Sequence, residues 1–120
     1  MQQKKILVCE DDADLRELIS MILSLQNYQV IAVEYARDVY KILANQTPDL
    51  ILLDLWLPDE NGDIIIKKIR QDEKTRHIPV ILFSADARIR EIAEQAQADR
   101  YLTKPFEIEE LEENVWALLN

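Results

Sequence analysis

Leu50-Ile51-Leu52-Leu53-Asp54-Leu55-Trp56-Leu57-Pro58 decides how this chain folds. Four apolar residues run straight into a carboxylate. A run that short and that apolar reads as a strand buried on both faces. Asp54 then stands at the strand's carboxyl end, where open α/β sheets keep their ligand crevices. Pro58 and Gly62 close the turn that follows, Pro by presetting φ and Gly by tolerating positive φ. A lone Asp in such a place is most simply the cap of a turn or of the next helix. The other segments show that Asp54 is not alone.

Working outward, Ile6-Leu7-Val8-Cys9 is a second buried strand, ending in Glu10-Asp11-Asp12. Leu15, Leu18, Ile19, Ile22 and Leu25 then recur at helical spacing, with Arg16 and Glu17 off the stripe. Asn27-Tyr28 breaks that helix, and Val30-Ile31-Ala32-Val33 makes the next strand. A shorter helix carries Val39, Ile42 and Leu43, and Thr47-Pro48 ends it, since the residue before Pro disfavours helix. Beyond Gly62 a third helix offers Ile65, Ile66 and Ile69. Val80-Ile81-Leu82-Phe83 is a strand entered by Pro79 and left by Ser84-Ala85. A helix with Ile89, Ile92, Ala93 and Ala96 follows, then a short strand Tyr101-Leu102-Thr103. Ile108, Leu111, Val115 and Leu118 form the last helical stripe. Strand and helix alternate five times, with no repeat and no internal linker. The pattern predicts one α/β domain over residues 1–120, a doubly wound five-stranded parallel sheet covered by helices on both faces. Right-handed crossovers leave few topologies, but local patterning does not give the strand order.

Composition narrows the function. With 48% hydrophobic residues among 120, the chain can bury a proper core. A net charge of -9 argues against direct nucleic-acid binding, which needs clustered Lys and Arg. No apolar run approaches the ~20 residues that span a bilayer, and Met1-Gln2-Gln3-Lys4-Lys5 is too short and polar for a signal peptide. A cytoplasmic protein whose natural start is Met1 is the expectation. Cys9 is the one cysteine, so it reads as a small core residue rather than half of a disulfide or a metal ligand. His77 is the one histidine and has no acidic cluster beside it in the chain, so it is not expected to carry phosphate or metal.

Every candidate polar group falls at a strand's carboxyl end. Glu10 and Asp11 follow the first strand, Asp54 the third, Ser84 the fourth and Lys104 the fifth. In a parallel sheet those ends share one edge, so the groups can converge. Three clustered carboxylates repel by ~1 to 4 kcal/mol per pair at about 4 Å, depending on the effective dielectric. A divalent cation would relieve that cost. All-oxygen ligands favour Mg2+, or Mn2+, over zinc. Each acid could instead cap a helix while Lys104 sits as a surface charge, but five such residues at matching strand ends make that alternative weak.

These residues resemble a response-regulator receiver domain, the phosphoacceptor module of two-component signalling, and the likeness covers essentially the whole chain. Glu10-Asp11 matches the family's acid pair, with Arg16 in the helix behind it. Asp54-Leu55-Trp56-Leu57-Pro58-Asp59-Glu60-Asn61-Gly62 matches the phosphoacceptor motif. Ser84-Ala85 matches the hydroxyl-Ala pair, and Lys104-Pro105-Phe106 the Lys-Pro-Phe signature, with an aromatic switch position at Tyr101. The resemblance implies the flavodoxin-like strand order 2-1-3-4-5.

It also implies a mechanism. Asp54 would attack a phosphoryl group carried by a sensor kinase's histidine, a phosphotransfer protein or a small donor. Asp11, Asp54 and the Trp56 backbone carbonyl would hold Mg2+, with Glu10 acting through water. Lys104 would pair with Asp54 at rest and with a phosphoryl oxygen afterwards, and Ser84 would bind another oxygen. Tyr101 would fill the space Ser84 leaves, shifting the face built from the fourth helix, fifth strand and fifth helix between inactive and active arrangements. That face would meet a downstream protein, an effector domain or, after phosphorylation, a second copy.

Two departures fall on that output face. The family commonly has Gly where the fourth helix ends, and here the stretch is Gln97-Ala98-Asp99-Arg100-Tyr101. Gln is costly in a positive-φ cap, so the helix is expected to end some other way. The segment from Ser84 to Lys104 is also about two residues shorter than in many receivers. Trp56 and Asp86 lie two residues after Asp54 and Ser84, positions that tune hydrolysis in the family; bulky Trp56 is expected to restrict the attacking water and lengthen the life of the phosphorylated form. Trp116 reads equally as core or as an exposed contact. Two other functions fit the sequence less well. A metal-dependent phosphohydrolase would carry a second acid two residues after its nucleophile, where this chain has Trp56. A degenerate receiver that binds without phosphorylation would have lost an acid, the phosphoacceptor or the Lys, and here all are present.

Overall fold

A computed structural model describes residues 3–120. Met1 and Gln2, on which the reading of the chain's start partly rests, lie outside the described residues. The elements run β1 Lys5–Cys9, α1 Ala13–Leu25, β2 Gln29–Val33, α2 Ala36–Asn45, β3 Leu50–Asp54, α3 Gly62–Gln71, β4 Val80–Ser84, α4 Ile89–Ala96, β5 Arg100–Thr103 and α5 Ile108–Leu119. All four strand pairings are parallel. The order across the sheet is β2-β1-β3-β4-β5, as the resemblance implied. The switch in strand order lies between β1 and β3, which places Glu10, Asp11 and Asp54 around one crevice.

The strands' alternation sorts the core into two layers. Leu7, Cys9, Ile51, Leu53, Val80 and Leu82 face α2, α3 and α4, where Val39, Ile65, Ile66, Ile69, Ile89 and Ala93 meet them. Ile6, Val8, Leu50, Leu52, Ile81, Phe83 and Leu102 face α1 and α5, against Ile19, Ile22, Leu23, Leu111 and Val115. Leu50 through Leu53 are all fully buried, as a strand covered on both faces requires. Each such side chain contributes about 1.5–3 kcal/mol on burial. Burial also pushes the Cys9 thiol up and keeps it protonated, which suits a core residue.

Three local expectations need correction. The first concerns the apolar stripe on α1, which does not face the core along its whole length. Ile19 and Ile22 do, but Leu18 is 46% and Leu25 81% exposed, and Leu23 takes the buried place. The stripe is wider than the strip of sheet α1 can cover once α5 packs beside it. Ile108 on α5 is left exposed for the same reason, and Trp116 is an exposed side chain rather than core. The second correction concerns Gly62, where no glycine in the described chain has positive φ. Gly62 is needed for space. Its N–H donates to Leu55 O at 2.7 Å, and a Cβ there would collide with the Asp54 carbonyl oxygen and touch Leu82 Cδ1 at 3.0 Å. A close backbone approach is the other reason a chain uses glycine.

The third correction is the end of α4. Gln97 does adopt the left-handed cap, with φ 69° and ψ 39°. That conformation costs a side-chain-bearing residue about 1–2 kcal/mol. Neighbouring bonds offset it. Ala98 N–H donates to Ala93 O at 2.9 Å, and Arg70 Nε donates to Gln97 O at 3.0 Å. Arg70 also holds Asp99 at 2.8 Å, and Asp99 accepts from Val80 N–H at 2.7 Å. The helix end is therefore tied to α3 and β4, and the expected requirement for another ending disappears.

Candidate functional site

The five central site residues are each delivered by the end of a strand. Asp54 and Ser84 are the last residues of β3 and β4, Glu10 and Asp11 follow β1, and Lys104 follows β5. Parallel register brings them to one edge, with Asp54 beside Phe83 and Ser84 beside Thr103. Lys104 N–H donates to Ser84 O at 2.9 Å, which fixes the start of the Lys-Pro-Phe turn. The Lys104–Pro105 peptide is cis.

Carboxylate oxygens of Glu10, Asp11 and Asp54 all lie within 4.8 Å of one another. Glu10 is 1% and Asp54 4% exposed, while Asp11 is open to solvent. Lys104 reaches in from one side. Its Nζ donates to Glu10 Oε1 at 2.7 Å and stands 3.2 Å from Asp54 Oδ1. The Lys104–Asp54 pairing was expected; the shorter contact to Glu10 was not. Lys104 Nζ also lies 4.9 Å from the centre of the Phe83 ring, which itself meets Phe106 edge to face at 6.0 Å. Asp12 N–H donates to Glu10 Oε2 at 3.1 Å, and Arg16 Nη1 donates to Glu10 O at 2.8 Å and to Asp11 O at 3.4 Å. Arg16 thus shapes the backbone that presents the acid pair.

Electrostatics follow from crowding and burial. Burial, helped by the Asp11 and Asp54 carboxyls and opposed by Lys104, pushes Glu10 up to about 7. Asp54 is raised too, by burial first, with Lys104 pulling it down and Asp11 pushing it up. Burial works against the Lys104 ammonium, but Glu10 and Asp54 more than offset it and hold its pKa above the usual lysine value. One ammonium among three carboxyls leaves the site short of positive charge. An all-oxygen donor set with unmet negative charge fits Mg2+, and Mn2+ on the same chemistry.

The remaining expected residues lie around this centre. Ser84 is buried, and its Oγ accepts from Asp86 N–H at 3.0 Å. Asp86 is held by Arg88 at 2.9 Å, and that guanidinium keeps its carboxyl low, at about 2. Ala85 borders a groove of about 380 Å³ that runs from Lys104 between α1 and α5, lined by Leu15, Leu18, Phe106 and Ile108. Trp56 is 48% exposed beside the crevice. Tyr101 points outward on β5 and does not fill space near Ser84. His77 is exposed at the opposite, amino-terminal edge of the sheet, before β4.

Two residues with no expected role stand at the tip of the β3–α3 loop. Asp59 accepts from the N–H groups of Ala36 and Arg37 at 2.9 and 3.0 Å. Glu60 accepts from the Tyr40 hydroxyl and pairs with Lys68 at 2.7 Å. Apart from Lys68, their partners lie 20 or more residues away, so spacing carries no sign of them. The one local hint is that α2 begins at Tyr35-Ala36, with no capping side chain of its own.

With this geometry in hand, the chain belongs to the response regulator receiver domain family, whose model matches residues 6–116. Receivers are the phosphoacceptor switches of two-component signalling. The chain is 34% identical to the phosphate regulon transcriptional regulatory protein PhoB of Pseudomonas aeruginosa, over 99% of this chain and 53% of that protein. It is 38% identical to the DNA-binding dual master transcriptional regulator RpaA of Synechocystis, over 96% of this chain and 48% of that protein. The chain therefore spans about half the length of these curated relatives. Among solved structures it matches the receiver domain of a sensor histidine kinase from Pseudomonas aeruginosa, crystallised with magnesium coordinated in its active-site cleft. That match has TM-score 0.90 and 29% identity, covering 98% of each chain. No helix among the described residues is long and apolar enough to cross a membrane.

Proposed function

We propose that residues 1–120 act as one receiver domain that accepts a phosphoryl group on Asp54. The observation that carries this reading is the meeting of Glu10, Asp11, Asp54 and Lys104 at the crevice between β1 and β3. An Asp54 oxygen forms the new P–O bond while the donor's bond to phosphorus breaks and its electron pair leaves with the donor. Glu10, Asp11, Asp54 and the Trp56 carbonyl are the groups that would hold Mg2+, which when bound offsets charge on the phosphoryl oxygens. Lys104 gives up Asp54 and takes a phosphoryl oxygen. The Ser84 hydroxyl donates to another, turning toward Asp54, and Tyr101 follows inward. The face of α4, β5 and α5 then presents a different surface to its target.

The donor is a sensor kinase or phosphotransfer protein carrying phosphohistidine. The apolar groove beside Lys104 supports docking of a protein donor rather than action on small phosphates alone. The target is a downstream protein or an effector domain; one relative is named a transcriptional regulatory protein and another a DNA-binding transcriptional regulator.

Intact-protein mass after incubation with acetyl phosphate tests the reading. One added phosphoryl group that requires both Mg2+ and Asp54 supports it, with Asp54→Ala as the negative control. No gain under any condition shifts the assignment to a binding module that works without phosphorylation. Trp56, half-exposed beside Asp54, would shield the acyl phosphate from water, so Trp56→Asn should lose phosphate several-fold faster; an unchanged decay rate removes that role.

A further inference from the structure

The β3–α3 loop leaves Asp54 and returns at Gly62, and it is strapped to a helix on the far side of the crevice from Lys104. Its base is closed by the Gly62–Leu55 bond at 2.7 Å and by an antiparallel bridge between Trp56 and Asn61. Its tip is held by Asp59, whose carboxylate takes both free N–H groups at the start of α2. Burial works against that charge, but the Ala36 and Arg37 amides prevail and hold the carboxyl below its usual range. Glu60, the next residue, reaches both α2, through Tyr40, and α3, through Lys68. Lys68 Nζ also lies 5.3 Å from the Tyr40 ring centre.

Resting on the receiver reading above, we propose that Asp59, supported by Glu60, is a positioning residue for the metal and phosphoryl site. It acts through the loop that presents the Trp56 carbonyl. The bridge makes Trp56 and Asn61 move together, so a shift at Asp59 and Glu60 is passed to the Trp56 backbone. Ordering a free loop costs backbone and side-chain entropy. A loop ordered in advance does not have to be ordered when metal binds. The coupling runs both ways. Because no side chain at the start of α2 caps it, the Ala36 and Arg37 amides keep their acceptor only while the loop stays in place.

The test is the Mg2+ affinity of the full chain, measured by calorimetry for wild type, Asp59→Ala and Asp59→Asn. Groups that orient metal ligands change affinity about 10-fold or more when removed. Asp59→Ala is expected to bind Mg2+ about 10-fold more weakly, and Asp59→Asn, which keeps one acceptor, to fall between. Thr75→Ala is the control. It removes a buried bond to Ile69 O at 2.8 Å outside the loop, costs stability, and should leave affinity within about twofold. Equal affinity for Asp59→Ala and wild type, at whatever stability, overturns the proposal. Should Asp59→Ala fail to fold, hydrogen exchange on the wild type decides: Mg2+ should slow exchange at the Ala36 and Arg37 amides, and unchanged exchange there refutes the coupling. A wild type that binds no Mg2+ sinks the site reading and the strap together, whereas a wild type that binds beside an unaffected Asp59→Ala sinks only the strap.

Discussion

At the scale of single residues, Gly62 and Glu10 allow the sharpest tests. Gly62 lies in α3 with no positive φ, so conformational freedom is not what it supplies. On propensity alone Gly62→Ala would stabilise the chain by about 0.5–1 kcal/mol. The collision with the Asp54 carbonyl acts the other way and costs about 1–3 kcal/mol or more, because backbone yields poorly. The expected outcome is net destabilisation, read as a lower urea midpoint, together with slower phosphorylation. A stabilised variant would mean that the loop can retreat. Glu10 makes a claim about pH. Its folded pKa of about 7 lies above the ordinary 4.5, chiefly through burial. The folded state therefore holds this proton more tightly than the unfolded state between those values. Stability from neutral Glu10 is full below about 4.5 and is lost as pH rises through 7. Glu10→Gln, which cannot ionise, should gain in melting temperature relative to wild type between pH 5 and pH 8, in metal-free buffer. A gap that closes instead would show that the ion pair with Lys104 outweighs the burial.

At the scale of elements, α4 ends against its own propensity. Gln97 sits at φ 69° because Arg70, Asp99 and Val80 fix the chain at Gln97 and just beyond it. Gln97→Gly relieves about 1–2 kcal/mol of left-handed strain and gives back about 0.5–1 kcal/mol in unfolded-chain entropy. The expected net gain is roughly 0.5–1 kcal/mol, or a few degrees in melting temperature for a domain of this size. A loss would mean that the Gln97 side chain makes contacts the backbone bonds do not account for. The outer surfaces of α1 and α5 tell a related story. Their sequence periods were correct, yet Leu18, Leu25, Ile108 and Trp116 stay in solvent because two helices side by side cover one sheet face between them.

At the scale of the whole molecule, charge concentrates what folding buries. The chain carries a net charge of -9, and the fold gathers three of its acids within 4.8 Å. A ligand that binds only the folded state stabilises by mass action, about 2.7 kcal/mol at 100 times its dissociation constant. Mg2+ should therefore raise the melting temperature at pH 8. Metal binding requires ionised ligands, and Glu10 is protonated below about 7, so the same Mg2+ concentration should raise it much less at pH 5.5. Equal shifts at both pH values would place the ion somewhere other than these carboxylates.

The β-α alternation, the buried Leu50–Leu53 run and the placing of Glu10, Asp11, Asp54, Ser84 and Lys104 at one sheet edge were legible in the sequence. Hydrophobic period and motif spacing are local properties, and this chain obeys them. The strand order was not local; it came from resemblance and is set by which strand pairs with which. Only the tertiary structure decided the rest. Lys104 sits closer to Glu10 than to Asp54, 94 residues apart in one case and 50 in the other, because its side chain reaches from the end of edge strand β5 past β4 to the ends of β1 and β3. Gly62 answers to the backbone of Asp54, Gln97 to Arg70, and Asp59 to a helix start 23 residues before it. Each of these depends on a distance between segments that pack together only when the sheet forms, and no pattern along the chain records such a distance.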